Sequence, residues 1–412
     1  MARAATGTLA AVRVQLFSYN YAPEPTGIAP LSRALACALR DRGHAVEVVA
    51  AHPHYPEPVW GVRRRPYREL RDGIRVWRLP IWAGRGSLKR RLRQELSYSA
   101  ALSAVAPLLP RPDAIVATSP SFPALGPTLL RAKALGVPSL LWLQDILPDG
   151  AVESALLDDA RAAVRAARAF ELSAYRAASR VVVISETFVE NLRAKGVPAS
   201  KLVHVYNPAS RDPLAAPRPG APIDDRLALN MGNIGHSQNL AAVVRAFEGC
   251  ERLAGLGARF AMAGDGVAGA EVRAAIATPR TQVTGVLAQP ELDGWLARAA
   301  VGVVTQVPRE NDFNVPSKLM NFMGAGIPVV ASVAPDSGVA RILAASGGGW
   351  VTDSSRLQEL TTTLAGALTD PAERARRGAR ALAYARANFA AAGTAAAFER
   401  VIEEVRAEHA RR

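Results

Sequence analysis

Short apolar runs recur at residues 12–17, 45–50, 74–79, 114–117, 139–143, 180–184 and 202–205, each rich in Val, Ile, Leu or Ala and bounded by Gly, Pro or charge. They are apolar on successive positions rather than alternate ones, which predicts strands buried on both faces of a parallel sheet. Between them lie segments with apolar residues at helical spacing, notably 30–42 and the alanine-rich 158–178. Strand and helix in alternation imply a wound α/β domain. After Asn207 the pattern stops, because NPASRDPLAAPRPGAPIDD carries neither period, and this stretch reads as a linker. The alternation then restarts, with strands expected at 227–231, 259–263, 282–284, 301–305 and 328–331 and helices at 240–250 and 291–300. The expected fold class is α/β, with two doubly wound, Rossmann-like domains: one over 1–210, a linker over 211–225, and a second over 226–385. A helix over 386–412 is expected to pack across both.

Length agrees with that division, since 412 residues exceed one ordinary core. Cys37 and Cys250 lie far apart within helical patterns, so neither a disulfide framework nor a cysteine metal site is expected, and the compartment reads as reducing. The leader MARAATGTLAAV lacks the long apolar region of a signal peptide, and prolines and arginines interrupt every candidate span. A cytoplasmic location follows, at the inner face of the cytoplasmic membrane if charge is considered. The net charge is +14, and about half of that excess lies in residues 55–100. There Trp60, Tyr67, Trp77, Trp82 and Tyr98 interleave with Arg63, Arg64, Arg65, Arg68, Arg71, Arg75, Arg78, Arg85, Lys89, Arg90, Arg91 and Arg93. Cations among aromatic residues, followed by the apolar 98–109, favour an anionic membrane surface over nucleic acid, for which no motif accompanies the patch. A solvated arginine surface is the plain alternative.

The richest candidate chemistry is FNVPSKLMNFMGAGIPVVAS, residues 313–332. Pro316 opens a helix, Ser317 and Lys318 stand in its first turn, Gly326 ends it, and an apolar strand follows. Unpaired amides of a first helical turn beside a lysine make an anion site. Ligands of open parallel sheets bind beyond the carboxyl ends of strands. Two further loops there look specialised: 20–29, where Gly27 near a helix start lets backbone approach a ligand, and 232–239, GNIGHSQN, a phosphate-type turn. Other chemistries are disfavoured. G-x-G-x-x-G and G-x-x-x-x-G-K-[ST] are absent, no D-x-D or histidine cluster suggests a metal, and Ser119 lacks a glycine elbow.

Taken in order, YNYAPEPTGIAP (19–30), WLQDILPD (142–149), VVVIS (181–185), VYNP (205–208), MGNIG (231–235), AGDG (263–266), TGVL (284–287) and VPSKLMNFMGAGIPVVAS (315–332) resemble the family 4 glycosyltransferases of the GT-B fold, most closely the WcaI-like exopolysaccharide branch. The resemblance implies two Rossmann-like domains facing a central cleft. It implies transfer of a sugar from a nucleotide-diphosphate sugar to a glycan acceptor that is lipid-linked, with retention of configuration and with neither metal nor cofactor. Gly232, Asn233, Gly235, Gln238, Ser317, Lys318 and Asn321 would bind the donor, with Lys318 and the helix amides facing the diphosphate and Asn321 near the ribose. Lys318, Gly27 and Asp145 would form the catalytic set, with the acceptor passing over Gly27 and Asp145. Asp145 either meets an acceptor hydroxyl or caps the next loop. Glu24, Thr26 and His54 are acceptor-side candidates, Glu24 reading more as a loop charge than as a base.

Two departures stand out. The two glutamates of the family's E-x7-E motif are replaced at Phe313 and Asn321, and the arginine and lysine usual in the glycine loop are replaced by Asn233 and Gln238. Lys318 is the nearest substitute cation, ahead of Arg309. The competing readings are a nucleotide-sugar isomerase on the same fold and a nucleotide-sugar binder without turnover.

Overall fold

The computed structural model of the chain describes residues 11–411 except 26, 55–59, 61–62, 83–87, 120, 147–161, 210–212, 214–222 and 308–314. The linker expected at 211–225 falls mostly outside them, as do Thr26, Arg309 and Phe313. The chain divides into two compact units, residues 1–207 with 391–412, and residues 208–390.

In the first unit the strands are β1 (Arg13–Phe17), β2 (Ala45–Ala51), β3 (Tyr67–Arg71), β4 (Ile74–Leu79), β5 (Ala114–Thr118), β6 (Ser139–Leu143), β7 (Arg180–Val183) and β8 (Leu202–His204). They form one sheet in the order β3-β4-β2-β1-β5-β6-β7-β8. Every pairing is parallel except β3 with β4. Helices α1 (Ile28–Asp41), α2 (Leu88–Val105), α3 (Phe122–Leu135), α4 (Ala162–Ala177) and α5 (Glu186–Ala194) connect them. β3 was not expected, because YRELR is charged and half exposed, as an edge strand is. Its hairpin to β4 turns at Asp72 and Gly73, both at positive φ (51° and 71°), the requirement of a tight two-residue hairpin.

In the second unit the strands are β9 (Asp224–Met231), β10 (Arg259–Ala263), β11 (Thr281–Gly285), β12 (Ala299–Thr305), β13 (Val329–Val333) and β14 (Gly349–Asp353), in the parallel order β11-β10-β9-β12-β13-β14. Its helices are α6 (Leu240–Glu248), α7 (Glu251–Gly255), α8 (Gly269–Ala274), α9 (Gln289–Arg298), α10 (Ser317–Gly324), α11 (Gly338–Ser346), α12 (Leu357–Thr369) and α13 (Pro371–Asn388). Strand order reverses at β1/β5 in the first unit and at β9/β12 in the second, and loops at those switch points are where such sheets take ligands. Packing fixes α10 against the sheet: a Cβ on Gly302 of β12 would lie 2.5 Å from the ring of Phe322.

The last helix, α14 (Ala391–Ala410), groups with the first unit. Buried Glu399 pairs there with Arg42 and accepts from Nε2 of His44 at 2.9 Å, while Val12 N–H donates to Nδ1 of the same ring. Phe398 meets Trp142 edge to face at 5.2 Å, and Arg180 pairs with Glu408.

Candidate functional site

At the carboxyl end of β9 the chain turns through Gly232, whose φ of 91° suits only glycine. This turn is laid against the one after β10: Gly232 N–H donates to Ala263 O (2.8 Å), Ile234 N–H to Asp265 O (3.0 Å) and Ala268 N–H to Ile234 O (3.0 Å). Contact is so close that a Cβ on Gly264 would stand 1.9 Å from Gly232 O, and one on Gly266 2.5 Å from Ile234 O. The two glycine-bearing turns are therefore one backbone surface, on the same end of the sheet.

Helix α10 starts beside β12 with Pro316 as its N-cap, one position before the first turn where the sequence placed it. Ser317 is exposed, whereas Lys318 and Asn321 are buried. The Lys318 ammonium lies 2.6 Å from Gln238 Oε1 and 3.2 Å from Asn230 Oδ1. Both amides are oriented by their other ends, since Asn230 Nδ2 donates to Val303 O (2.9 Å) and Gln238 Nε2 to Asn233 O (2.5 Å). Thr305 Oγ1 donates to Gln238 O (2.8 Å), tying the glycine turn to β12. Burial lowers the Lys318 pKa from its ordinary 10.5 to about 7. Asn321 Oδ1 is buried without a hydrogen-bond partner among the described residues.

The structure thus gathers Gly232, Asn233, Gly235, Gln238 and Lys318 at one switch point, with Ser317 and Asn321 on the same helix as Lys318. Sequence reasoning missed Asn230. Its only signal was one amide inside the apolar run LALNM.

In the first unit Gly27 caps α1 at φ 65° and is exposed. Glu24 is buried rather than a loop charge: Oε1 accepts from His54 N–H (2.9 Å) and lies 3.3 Å from His54 Nδ1, and Oε2 accepts from Asn20 Nδ2 (2.8 Å). His54 Nδ1 also lies 2.9 Å from His52 O. The loops after β1 and β2 are thereby locked together. Fully buried Arg78 adds to the lock, donating to Ala51 O (3.2 Å) and to Ala22 O and pairing with Glu69 (2.8 Å). The sequence reading held Asn20 only as the start of its loop and Arg78 only as one cation of the basic stretch. Asp145 is exposed after β6, its backbone N–H 3.4 Å from Ser119 Oγ, which also accepts from Gln144 N–H at 2.8 Å.

The basic stretch is less uniform than its composition suggested. Arg78 is interior, Arg71 and Arg75 pair with Glu69 and Glu47, and Arg68 and Arg63 stack on Trp77 and Tyr67. Tyr98 is buried, its hydroxyl donating to Val49 O at 3.2 Å. Among the described residues that do face outward are Trp82, Leu92 and Leu96, with Arg90 and Arg93. No described helix is long and apolar enough to cross a membrane.

Residues 26–208 match the family model of the glycosyl transferase 4-like domain, and residues 225–370 match that of glycosyl transferases group 1. WcaI of Escherichia coli (strain K12), whose name assigns it to colanic acid biosynthesis, is 28% identical over 76% of this chain and 82% of its own. Among solved structures, sucrose-phosphate synthase from Thermosynechococcus elongatus superposes with a TM-score of 0.72 at 15% identity, covering 96% of this chain and 100% of the other. HepE of Anabaena, solved in complex with UDP-glucose, gives 0.66 at 16% identity, covering 95% and 100%.

Proposed function

The chain belongs to the glycosyltransferases of the GT-B fold, built from a glycosyl transferase 4-like domain and a group 1 domain and related to enzymes of polysaccharide biosynthesis, and from that premise we propose that it moves a sugar from a nucleotide-diphosphate donor to a lipid-linked glycan with retention of configuration and without a metal. The observation that carries the reading is the Lys318 ammonium set under the glycine turn at the β9/β12 switch point. A diphosphate leaving group gains negative charge as the glycosidic bond breaks. Lys318 and the free amides of α10 are placed to stabilise that gain, the task a divalent cation performs elsewhere. Gly232, Gly235 and Ser317 would meet the diphosphate with backbone and hydroxyl, Asn233 would stand beside it, and Asn321 Oδ1 would accept from a ribose hydroxyl. On the acceptor side, Gly27 would leave room for the incoming sugar, Glu24 and His54 would hold the wall of the site, and Asp145 would orient the hydroxyl that attacks.

Thermal shift against a panel of nucleoside diphosphates and their sugars tests the donor. At least one is expected to raise the melting temperature, with UDP and UDP-glucose as the first probes because HepE was solved with the latter. No shift with any of them would sink the assignment. With the active donor, excess EDTA is expected to leave the rate unchanged, and the product's anomeric coupling by NMR is expected to match the donor's. A rate lost to chelator, or an inverted product, would remove those clauses separately.

The outward Trp82, Leu92 and Leu96 among arginines support a peripheral site on the cytoplasmic membrane. Vesicles containing anionic lipid are expected to retain the protein at low salt and release it at high salt, and Trp82→Ala is expected to weaken retention. Equal recovery with neutral and anionic vesicles would refute this.

A further inference from the structure

Lys318 reaches the glycine turn from another element, and what meets its ammonium there is a pair of amide oxygens. Each amide is locked from behind: Asn230 by Val303 O, Gln238 by Asn233 O, with Thr305 gripping the Gln238 backbone. The cation comes from α10, and residue 238 is its seat.

We propose that Gln238, with Asn230 behind it, is a positioning residue that aims the Lys318 ammonium at the diphosphate of the donor and keeps it uncompensated until that anion arrives. This rests on the donor reading above and assigns a distinct role within it, because Gln238 acts through Lys318 rather than on the phosphate. Amide oxygens suit the task. They accept two of the three ammonium protons without adding charge, so the third proton and the whole positive charge remain for a ligand. A carboxylate at the same place would satisfy the lysine and repel the diphosphate. The contacts of the Lys318 ammonium, to Gln238 Oε1 and Asn230 Oδ1, are both to neutral amides, and burial lowers its pKa. The charged groups on the neighbouring turns are engaged elsewhere and exposed: His236 lies 3.9 Å from Glu271, and Asp265 pairs with Arg273 at 3.1 Å.

The test is calorimetric titration of UDP, or of whichever diphosphate the panel selects, into wild type, Gln238→Leu and Gln238→Glu between pH 6 and 9. Wild-type affinity is expected to fall as pH rises through about 7, as the amine loses its proton. Gln238→Leu is expected to weaken binding about tenfold at pH 6.5, the scale of a lost hydrogen bond to a charged group, and to move the fall to lower pH. Gln238→Glu is expected to weaken it at least as much while moving the fall to higher pH, since a carboxylate holds the proton on the amine. Opposite shifts from two substitutions at one residue are not what a purely structural role would give. Binding that matches wild type at every pH in both variants would overturn the proposal.

A second readout needs no nucleotide. Wild-type stability to denaturant is expected to rise between pH 7 and 10, and that rise is expected to shrink in Gln238→Glu. If no diphosphate binds wild type, the donor reading fails by itself, and an unchanged stability profile in Gln238→Glu then refutes the seat for Lys318 separately.

Discussion

Replacing Lys318 by methionine is expected to cut turnover at least about a hundredfold, the usual consequence of removing a pre-placed group that stabilises transition-state charge, with little or no loss of melting temperature. Methionine fills a similar volume in the same buried place. The residue is costly where it is, since burial pulls its pKa down to about 7. The unfolded chain, with an ordinary lysine pKa of 10.5, binds more protons than the folded one between those values. Unfolding free energy therefore rises with pH across that window, by at most about 1.4 kcal/mol per pH unit. Below pH 7 the penalty is fully present. Lys318→Met removes it along with the alkaline rise, and the loss of two ammonium hydrogen bonds to Gln238 and Asn230 offsets part of the gain. Denaturant melts at pH 7 and 9.5, read beside initial rates, separate the outcomes. An active methionine variant would mean that Lys318 plays no part in the chemistry. An inactive and unstable one would mean that it holds the fold.

Such a residue was visible in the sequence as chemistry but not as geometry. PSK opening a helix read as a candidate anion site, and the apolar runs told of two parallel sheets, because buried strands and helix starts are written in local residue types. What meets Lys318 was not legible. Asn230 sits 88 positions away in the chain and Gln238 80, and only the strand order that puts β9 beside β12 brings them together. The burial of Glu24 was hidden for the same reason: His54, 30 positions away, meets it only once β1 and β2 pair in register. The arginine stretch shows the opposite failure. Composition counts charge but not where it points, so Arg78 entered that count as surface although it is fully buried.

Gly264→Ala is expected to be among the most damaging single-methyl changes in the second unit. The added carbon would sit 1.9 Å from Gly232 O and 2.8 Å from Gly232 C, atoms of backbone that no rotamer change can move aside. The turn after β10 must then back away from the glycine turn, stretching the bonds from Gly232 N–H to Ala263 O and from Ile234 N–H to Asp265 O. Overpacking of this kind costs about 3 kcal/mol or more where backbone has to shift. Displacement also reaches the site, because the same turn carries Asn233 and Gln238, whose contacts seat Lys318. Even the folded fraction should therefore bind the nucleoside diphosphate more weakly, by about tenfold for one charge-assisted hydrogen bond lost. Gly294→Ala is the control. Nothing lies within 4 Å of its Cβ on α9, and alanine in a helix interior is expected to raise stability by up to about 1 kcal/mol. Denaturant midpoints and diphosphate titrations of the two variants should move in opposite directions for stability and differ for binding. If Gly264→Ala melts like wild type and binds as tightly, the close stacking of the two turns is not a feature of the protein in solution, and the donor site has to be built without it.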